Sequence, residues 1–348
     1  MQHVTPGYRH PGPVAALQIR GWNALAAKSV AGTMPPVVIA TAYGGPEALT
    51  VIDEPTPDPG PGEVKLAVRA AGVNPADYKS YSGAFGRDPA ALPRRLGLEA
   101  AGTVTQVGGG ATGPAGPIGV GDDVIAYRIN GGYAAELVAS ASSLVPKPRS
   151  LSWPAAAGLM LAGASAWHCL VATGVGAADT VLIHGAAGGV GVMATQLAIG
   201  RGAMVIATAS EPHHDLLREF GAAPVTYGQG LADRVRAAAP AGVTAALDLI
   251  GTDEAVDVSL ALVPDRARIA TIAAFGRAGN AGIRALGGAP GADPGTEIRM
   301  AARPELARLV GDGQIKVIVA ATFPLAEAAD AHRAIMTGHT SGKIALIP

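Results

Sequence analysis

Chemistry in this chain is concentrated in one stretch, VLIHGAAGGVGVMATQLA at residues 181–198. An apolar run leads into a glycine turn, and a run of helix formers follows. Within the turn Gly185, Ala186, Ala187, Gly188, Gly189, Val190 and Gly191 fit a dinucleotide fingerprint with Ala186 at the first glycine position. A missing side chain at Gly188 lets backbone N–H groups approach a pyrophosphate, and one at Gly191 lets the helix pack on its strand. The helix start adds partial positive charge for the phosphates. The end of the next apolar run selects the cofactor. An acidic residue there would bond the ribose 2′-hydroxyl of NAD. This chain has Ala209 and then Ser210, with His213, His214 and Arg218 nearby as donors to a 2′-phosphate, and Glu211 is expected to turn to solvent. The expectation is therefore a nucleotide site that prefers NADPH.

Other reactive residue types are sparse. Cys169 is the one cysteine, so an internal disulfide and any zinc site built on several cysteines are excluded. It lies in an apolar helical stretch, where a free thiol acts as a small hydrophobe. With a formal net charge of −1, the chain lacks the basic footprint of a nucleic-acid binder. Residues 151–178 contain no Asp, Glu, Lys or Arg, a length that could cross a bilayer. Pro154 reads as a helix start and a strand follows within a few residues, so a buried helix is expected and no membrane span.

These residues need elements to hold them. The 348 residues, 49% of them hydrophobic, can bury a large core in two domains. Residues 1–33 carry Pro6, Pro11 and Pro13 without periodicity and read as a flexible extension, with no secretory signal. A cytoplasmic protein is expected. From residue 37 to about 150, short strands such as GEVKLAVRAAGVN and DDVIAYR alternate with Gly/Pro turns, a barrel-like β texture, and GGYAAELVAS reads as a strand pair. Beyond Pro154 apolar strands alternate with helices, the pattern of a parallel sheet covered on both faces. Helices are expected near 231–238 and 253–262, whereas residues 276–295 read as an irregular Gly/Pro-rich loop. The tail IKVIVAATFPL, AEAADAHRAIMTG and GKIALIP reads as strand, helix and strand rejoining the first domain. The expected division is 34–154 with 316–348 as one domain and 155–315 as the other.

Six motifs occur in order: YGGPEAL (43–49), PGPGEVKLAVRAAGVNPADYK (59–79), GLEAAGTV (97–104), GDDVIA (121–126), HGAAGGVG (184–191) and the terminal SGKIAL. Together they resemble the zinc-free quinone oxidoreductase branch of the medium-chain dehydrogenase/reductase superfamily, from about residue 35 to the end. The resemblance implies an α/β fold in which a GroES-like, β-rich catalytic domain flanks a Rossmann doubly wound parallel sheet, with the site in the cleft between. It implies a homodimer. By match to the family's motifs, Asn74 lies near the nicotinamide, Ser165 takes a nicotinamide- or ribose-side position, Tyr227 lies near the adenine, and Gly342 and Lys343 close the site. Zinc-bearing relatives place Cys where Asn74 stands and His where Leu98 stands, so no metal is expected although Asp77 and Glu99 survive. Two cleft tyrosines of the branch correspond to Phe85 and Lys79, the latter flanked by Tyr78 and Tyr81.

Without a metal no Lewis acid polarises a simple carbonyl. Conjugated acceptors need less help, because the charge from an added hydride spreads to a distant oxygen. The expected activity is thus NADPH-dependent reduction of a small conjugated carbonyl or quinone, with the proton from solvent or from Tyr78 or Tyr81. Two alternatives stand beside it: a trans-enoyl thioester reductase and a non-catalytic NADPH-binding protein.

Overall fold

The computed structural model describes residues 34–338 and 340–348, so the expectation for residues 1–33 lies outside the described residues. The β-rich half opens with β1 (Pro36–Ala40), β2 (Leu49–Asp53) and β3 (Glu63–Val73). Helix α1 (Pro75–Ser82) follows, with proline at its first position, where a missing N–H costs nothing. Next come β4 (Arg94–Arg95), β5 (Glu99–Val107), β6 (Thr112–Gly113), β7 (Gly116–Pro117), β8 (Asp123–Tyr127), β9 (Glu136–Ser140) and β10 (Leu144–Pro146). Of the strand pair expected in GGYAAELVAS only the second half is a strand. Residues before it make single bonds, such as Val38 N–H to the Tyr133 carbonyl at 2.8 Å.

Two helices, α2 (Trp153–Ala157) and α3 (Met160–Ala172), lead to the second sheet. No helix among the described residues is long and apolar enough to cross a membrane. The sheet is built from β11 (Thr180–His184), α4 (Gly189–Gly200), β12 (Met204–Thr208), α5 (His214–Glu219), β13 (Ala223–Val225), α6 (Leu231–Ala238), β14 (Ala245–Asp248), α7 (Asp253–Leu262) and β15 (Ile269–Thr271). All five residues of β11 are buried, as a strand covered on both faces requires. The segment expected to be irregular holds α8 (Phe275–Ala281) and a sixth strand, β16 (Arg284–Ala285). Strand order is β13-β12-β11-β14-β15-β16, parallel throughout. The order reverses between β11 and β14, and the crevice beyond their carboxyl ends is where open α/β sheets bind ligands.

A long helix absent from the sequence expectation, α9 (Thr296–Gly311), contains Pro304. After it come β17 (Val319–Pro324), α10 (Ala328–Met336) and β18 (Lys343–Ile347). Here β18 pairs with β3 and β17, which places the tail in the seven-stranded sheet β10-β8-β5-β3-β18-β17, where β9 also pairs with β3. The fold is thus a GroES-like β domain joined to a parallel Rossmann sheet.

Candidate active site

The glycine turn sits where β11 ends. Gly185 has φ +71°, and a Cβ on Gly191 would lie 2.2 Å from the Gly185 carbonyl oxygen, so neither position accepts a side chain without strain. Gly188 starts α4 without a side-chain cap, and Gly189, Val190 and Gly191 follow with the unpaired amides of a helix start. A phosphate fits that arrangement. Gly342, with φ +94°, donates its N–H to the Ala187 carbonyl at 3.0 Å and bridges Gly188, which brings the last strand of the other sheet against the turn. Ala186 and Ala187 are buried beneath it.

At the next strand end Ala209 is buried, while Ser210 caps a short 3₁₀ turn whose first residue, Glu211, is exposed. The His214 Nε2 lies 3.1 Å from the Ala209 carbonyl, so the ring is tethered to that end. Arg218 is engaged by Asp215 at 2.7 Å on the surface. Tyr227 is 53% exposed beyond β13.

A second cluster forms where β3, β5, β18 and α3 meet. Asn74 donates Nδ2–H to Glu99 Oε1 at 3.0 Å, and the Lys343 ammonium bonds Glu99 Oε1 at 3.1 Å, the Val73 carbonyl at 3.3 Å and Asn74 Oδ1. Glu99 is fully buried and its other oxygen accepts the Leu161 N–H at 2.8 Å. Gly72 makes this possible, because a Cβ there would lie 2.6 Å from Glu99 Oε1. The ion pair is dry, and each of its charged groups has further hydrogen bonds, the condition under which a buried pair is tolerated.

Asp77 closes the first turn of α1. Its Oδ2 accepts the Asn74 N–H at 2.8 Å and the Tyr133 hydroxyl at 3.1 Å. Tyr133 in turn meets His332 Nε2 at 3.0 Å, and His332 Nδ1 meets the Tyr81 hydroxyl at 2.7 Å. Since the Tyr133 proton goes to Asp77, its oxygen accepts from Nε2–H, and Tyr81 donates to Nδ1. Burial pushes Asp77 up to about 7 and His332 down to about 4. Tyr81 is therefore a correction to the sequence reading. It is 1% exposed with its hydroxyl committed to His332, so it points into the β-domain core and not at a substrate. Tyr78 is half-buried, and burial raises its pKa, which weakens it as a donor at neutral pH.

Ser165 stands one turn along α3 from Leu161 and is 5% exposed. Its Oγ accepts from Arg299 Nη1 at 3.1 Å. Sequence reasoning missed Arg299 and its partners His168 and Asp293. The only available signal was the spacing of four in Ile298, Ala302, Leu306 and Val310, which marks α9 as amphipathic. Among the described residues no group of three or more His, Cys, Asp or Glu could hold a metal ion.

Residues 60–171 match the family model "Alcohol dehydrogenase GroES-like domain", and residues 220–346 match "Zinc-binding dehydrogenase". A quinone oxidoreductase of Pseudomonas aeruginosa is 34% identical over 329 residues, covering 88% of this chain and 98% of the relative. Among solved structures, a mycobacterial protein complexed with NADPH is 32% identical with a TM-score of 0.78, covering 90% of this chain and 100% of the other. An NAD-dependent alcohol dehydrogenase gives the same TM-score at 28% identity, covering 90% and 99%. This chain thus belongs to the quinone oxidoreductase branch of the medium-chain dehydrogenase/reductase superfamily.

Proposed function

We propose that the chain is an NADPH-dependent reductase that works without a metal and adds hydride to quinones or conjugated enones. The observation that carries the metal-free reading is the position of Lys343. Its ammonium already sits among the oxygens of Asn74, Glu99 and Val73, beside the positions where zinc-bearing relatives place ligands. A divalent cation there would meet a fixed positive charge, and Asn74 offers an amide in place of a thiolate.

The dinucleotide would be held by the α4 amides from Gly189 to Gly191, with Ala186, Ala187 and Gly188 beneath it. Ser165 would lie at the nicotinamide side, and Ser210, His214 and Tyr227 at the adenosine end. The neutral strand end at Ala209 supports NADPH over NADH. When bound, the cofactor supplies a hydride, and the protein's part is alignment and electrostatics. Asn74, fixed by Glu99 and Asp77, would support the nicotinamide face, while Lys343 keeps Asn74 in place. Protonation falls to solvent or to Tyr78. The expected oligomer is a homodimer, and the expected location the cytoplasm.

Steady-state screening of quinones, enones and enoyl thioesters with NADPH and with NADH tests this reading. Turnover of a quinone or enone by the metal-stripped enzyme is expected, with no oxidation of simple alcohols. Loss of activity to a chelator, or turnover of enoyl thioesters alone, would refute it.

A further inference from the structure

Arg299 is a half-buried cation with no carboxylate partner among the described residues. Its Nε donates to His168 Nδ1 at 3.3 Å and its Nη1 to Ser165 Oγ at 3.1 Å, and its charge acts on the buried Tyr127 hydroxyl. A guanidinium has five N–H groups, so three are not taken up by His168 and Ser165. His168 is fully buried, and its Nε2 faces Asp293 Oδ2 at 3.2 Å. Because Nδ1 accepts from Arg299, the proton must sit on Nε2, which leaves the ring neutral. Burial, then the Arg299 charge, lower its pKa in keeping with this. The ring is packed against Gly295, whose φ is +53° and where a Cβ would lie 2.3 Å from it. The arginine is thus braced from behind by a built His168–Asp293 support.

Its place in the site follows from two registers. Ser165 and Leu161 are one turn apart on α3, about 5–6 Å between Cβ atoms, and Leu161 N–H binds Glu99. Tyr127 is paired directly with Glu99 across β8 and β5. Both neighbours of the arginine therefore border the Asn74–Glu99–Lys343 cluster. Arg128 adds a second guanidinium. Its φ of +59° is unusual for a non-glycine residue, and its Nη1 reaches Thr296 Oγ1 at 3.2 Å, one turn from Arg299.

We propose that Arg299 is a catalytic residue whose guanidinium binds the acceptor oxygen on which negative charge gathers. This rests on the reductase reading above. As a C–H bond forms at the acceptor's electrophilic carbon, the dihydronicotinamide is oxidised and the acceptor's π pair moves onto its oxygen. The guanidinium compensates that oxyanion, and a solvent proton then completes the reduced product. The cation takes the role a metal would otherwise fill, and its bracing means little reorganisation as the charge appears.

The test combines kinetics with ligand titration. Arg299→Ala should lose about 10²–10³-fold in kcat with quinone and enone alike, the scale for one preorganised oxyanion donor. NADPH affinity should hold, and added guanidinium ion should restore at least about tenfold of the loss. In the wild-type protein with NADP⁺, bound 4-nitrophenol should ionise at lower pH than it does free, read by its visible absorbance. That arm does not depend on the variant folding. A kcat within about threefold of wild type, a loss that guanidinium does not rescue, or a bound phenol that ionises no more readily than free would each overturn the proposal. So would a KM increase confined to carboxylate-bearing acceptors, which would make Arg299 an anchor for a substrate tail. If wild type reduces no conjugated acceptor, the reductase reading itself falls and takes this proposal with it.

Discussion

Asp77 is a carboxyl group held where its charge is poorly solvated. It is faced by Tyr133 and, electrostatically, by Lys343 and Glu99, with Tyr81 on its own helix, and burial outweighs their net help. Its pKa rises from 3.8 unfolded to about 7 folded, so its contribution to stability is full below the unfolded value and is lost as pH rises through 7. His184 and His332 act in the opposite sense. Each is lowered from 6.5 to about 4 by burial, so their contribution is present above 6.5 and is lost as pH falls through 4. Asp77→Asn removes one of the opposed terms. Stability should then rise more steeply between about pH 4.5 and 6.5, by up to about 1.4 kcal/mol per pH unit. Urea unfolding at several pH values checks it, and a slope unchanged from wild type would refute it. Ala209 decides a different question. A contact to a 2′-phosphate contributes about 1.5–3 kcal/mol, and a carboxylate beside that phosphate would cost several. Ala209→Asp should therefore invert the preference from NADPH to NADH, measured as dissociation constants by cofactor fluorescence. Equal constants for the two cofactors in the wild type would already refute the assignment.

Helix α9 shows how a side chain can repair a backbone. Pro304 has no N–H for the Met300 carbonyl four residues back, and the buried Arg303 donates its Nε to that same oxygen at 3.0 Å. Its Nη1 continues to the Ser142 carbonyl at 2.9 Å and ties α9 to the β-rich half. Arg303→Met should cost about 3 kcal/mol or more, since two charged hydrogen bonds are lost and each contributes about 1.5–3. In a Pro304→Ala background the amide at 304 can serve Met300 instead. The same substitution should then cost about 1 kcal/mol less, a coupling that a double-mutant cycle measures; strict additivity would refute it. The same proline explains part of what the sequence concealed. The long run of Gly and Pro before Thr296 hid α8 and the two-residue β16, and Pro304 broke the expectation of a helix. The strands β11, β12, β14 and β15 were legible because each is a short, mostly apolar run set between helical or Gly/Pro-punctuated segments. Arg299 belonged to no motif, and only the fold brings it to Ser165. Tyr81 was misread for the converse reason. The resemblance puts a cleft tyrosine at Lys79, which Tyr78 and Tyr81 flank, but the turn of α1 aims Tyr81 at His332 in the core.

At the scale of the whole chain, the two sheets are joined by more than a linker. The Gly342 N–H on Ala187, the Gly188–Gly342 bridge and the Leu161 N–H on Glu99 all cross from the β-rich half to the Rossmann half, and Lys343 holds the Glu99 carboxylate from within the β-rich half. Lys343 also fills the space beside Gly189, where a Cβ would lie 2.9 Å from its Cδ. The glycine turn therefore cannot loosen without disturbing the strand that pairs with β3. Cofactor binding at that turn should stabilise both sheets together. At a free NADPH concentration about 100 times its dissociation constant the gain is about 2.7 kcal/mol, which for a chain of this size raises the melting temperature by a few degrees. Scanning calorimetry should show one transition that moves as a whole. Two transitions, of which only one responds to NADPH, would mean that the halves unfold separately. Gly189→Ala gives the companion measurement. A methyl at that contact should weaken NADPH binding and lower the single transition even without cofactor, because Lys343 must shift and Asn74 and Glu99 with it. A variant that lost affinity while its cofactor-free transition stayed in place would show that the turn is not coupled to the strand.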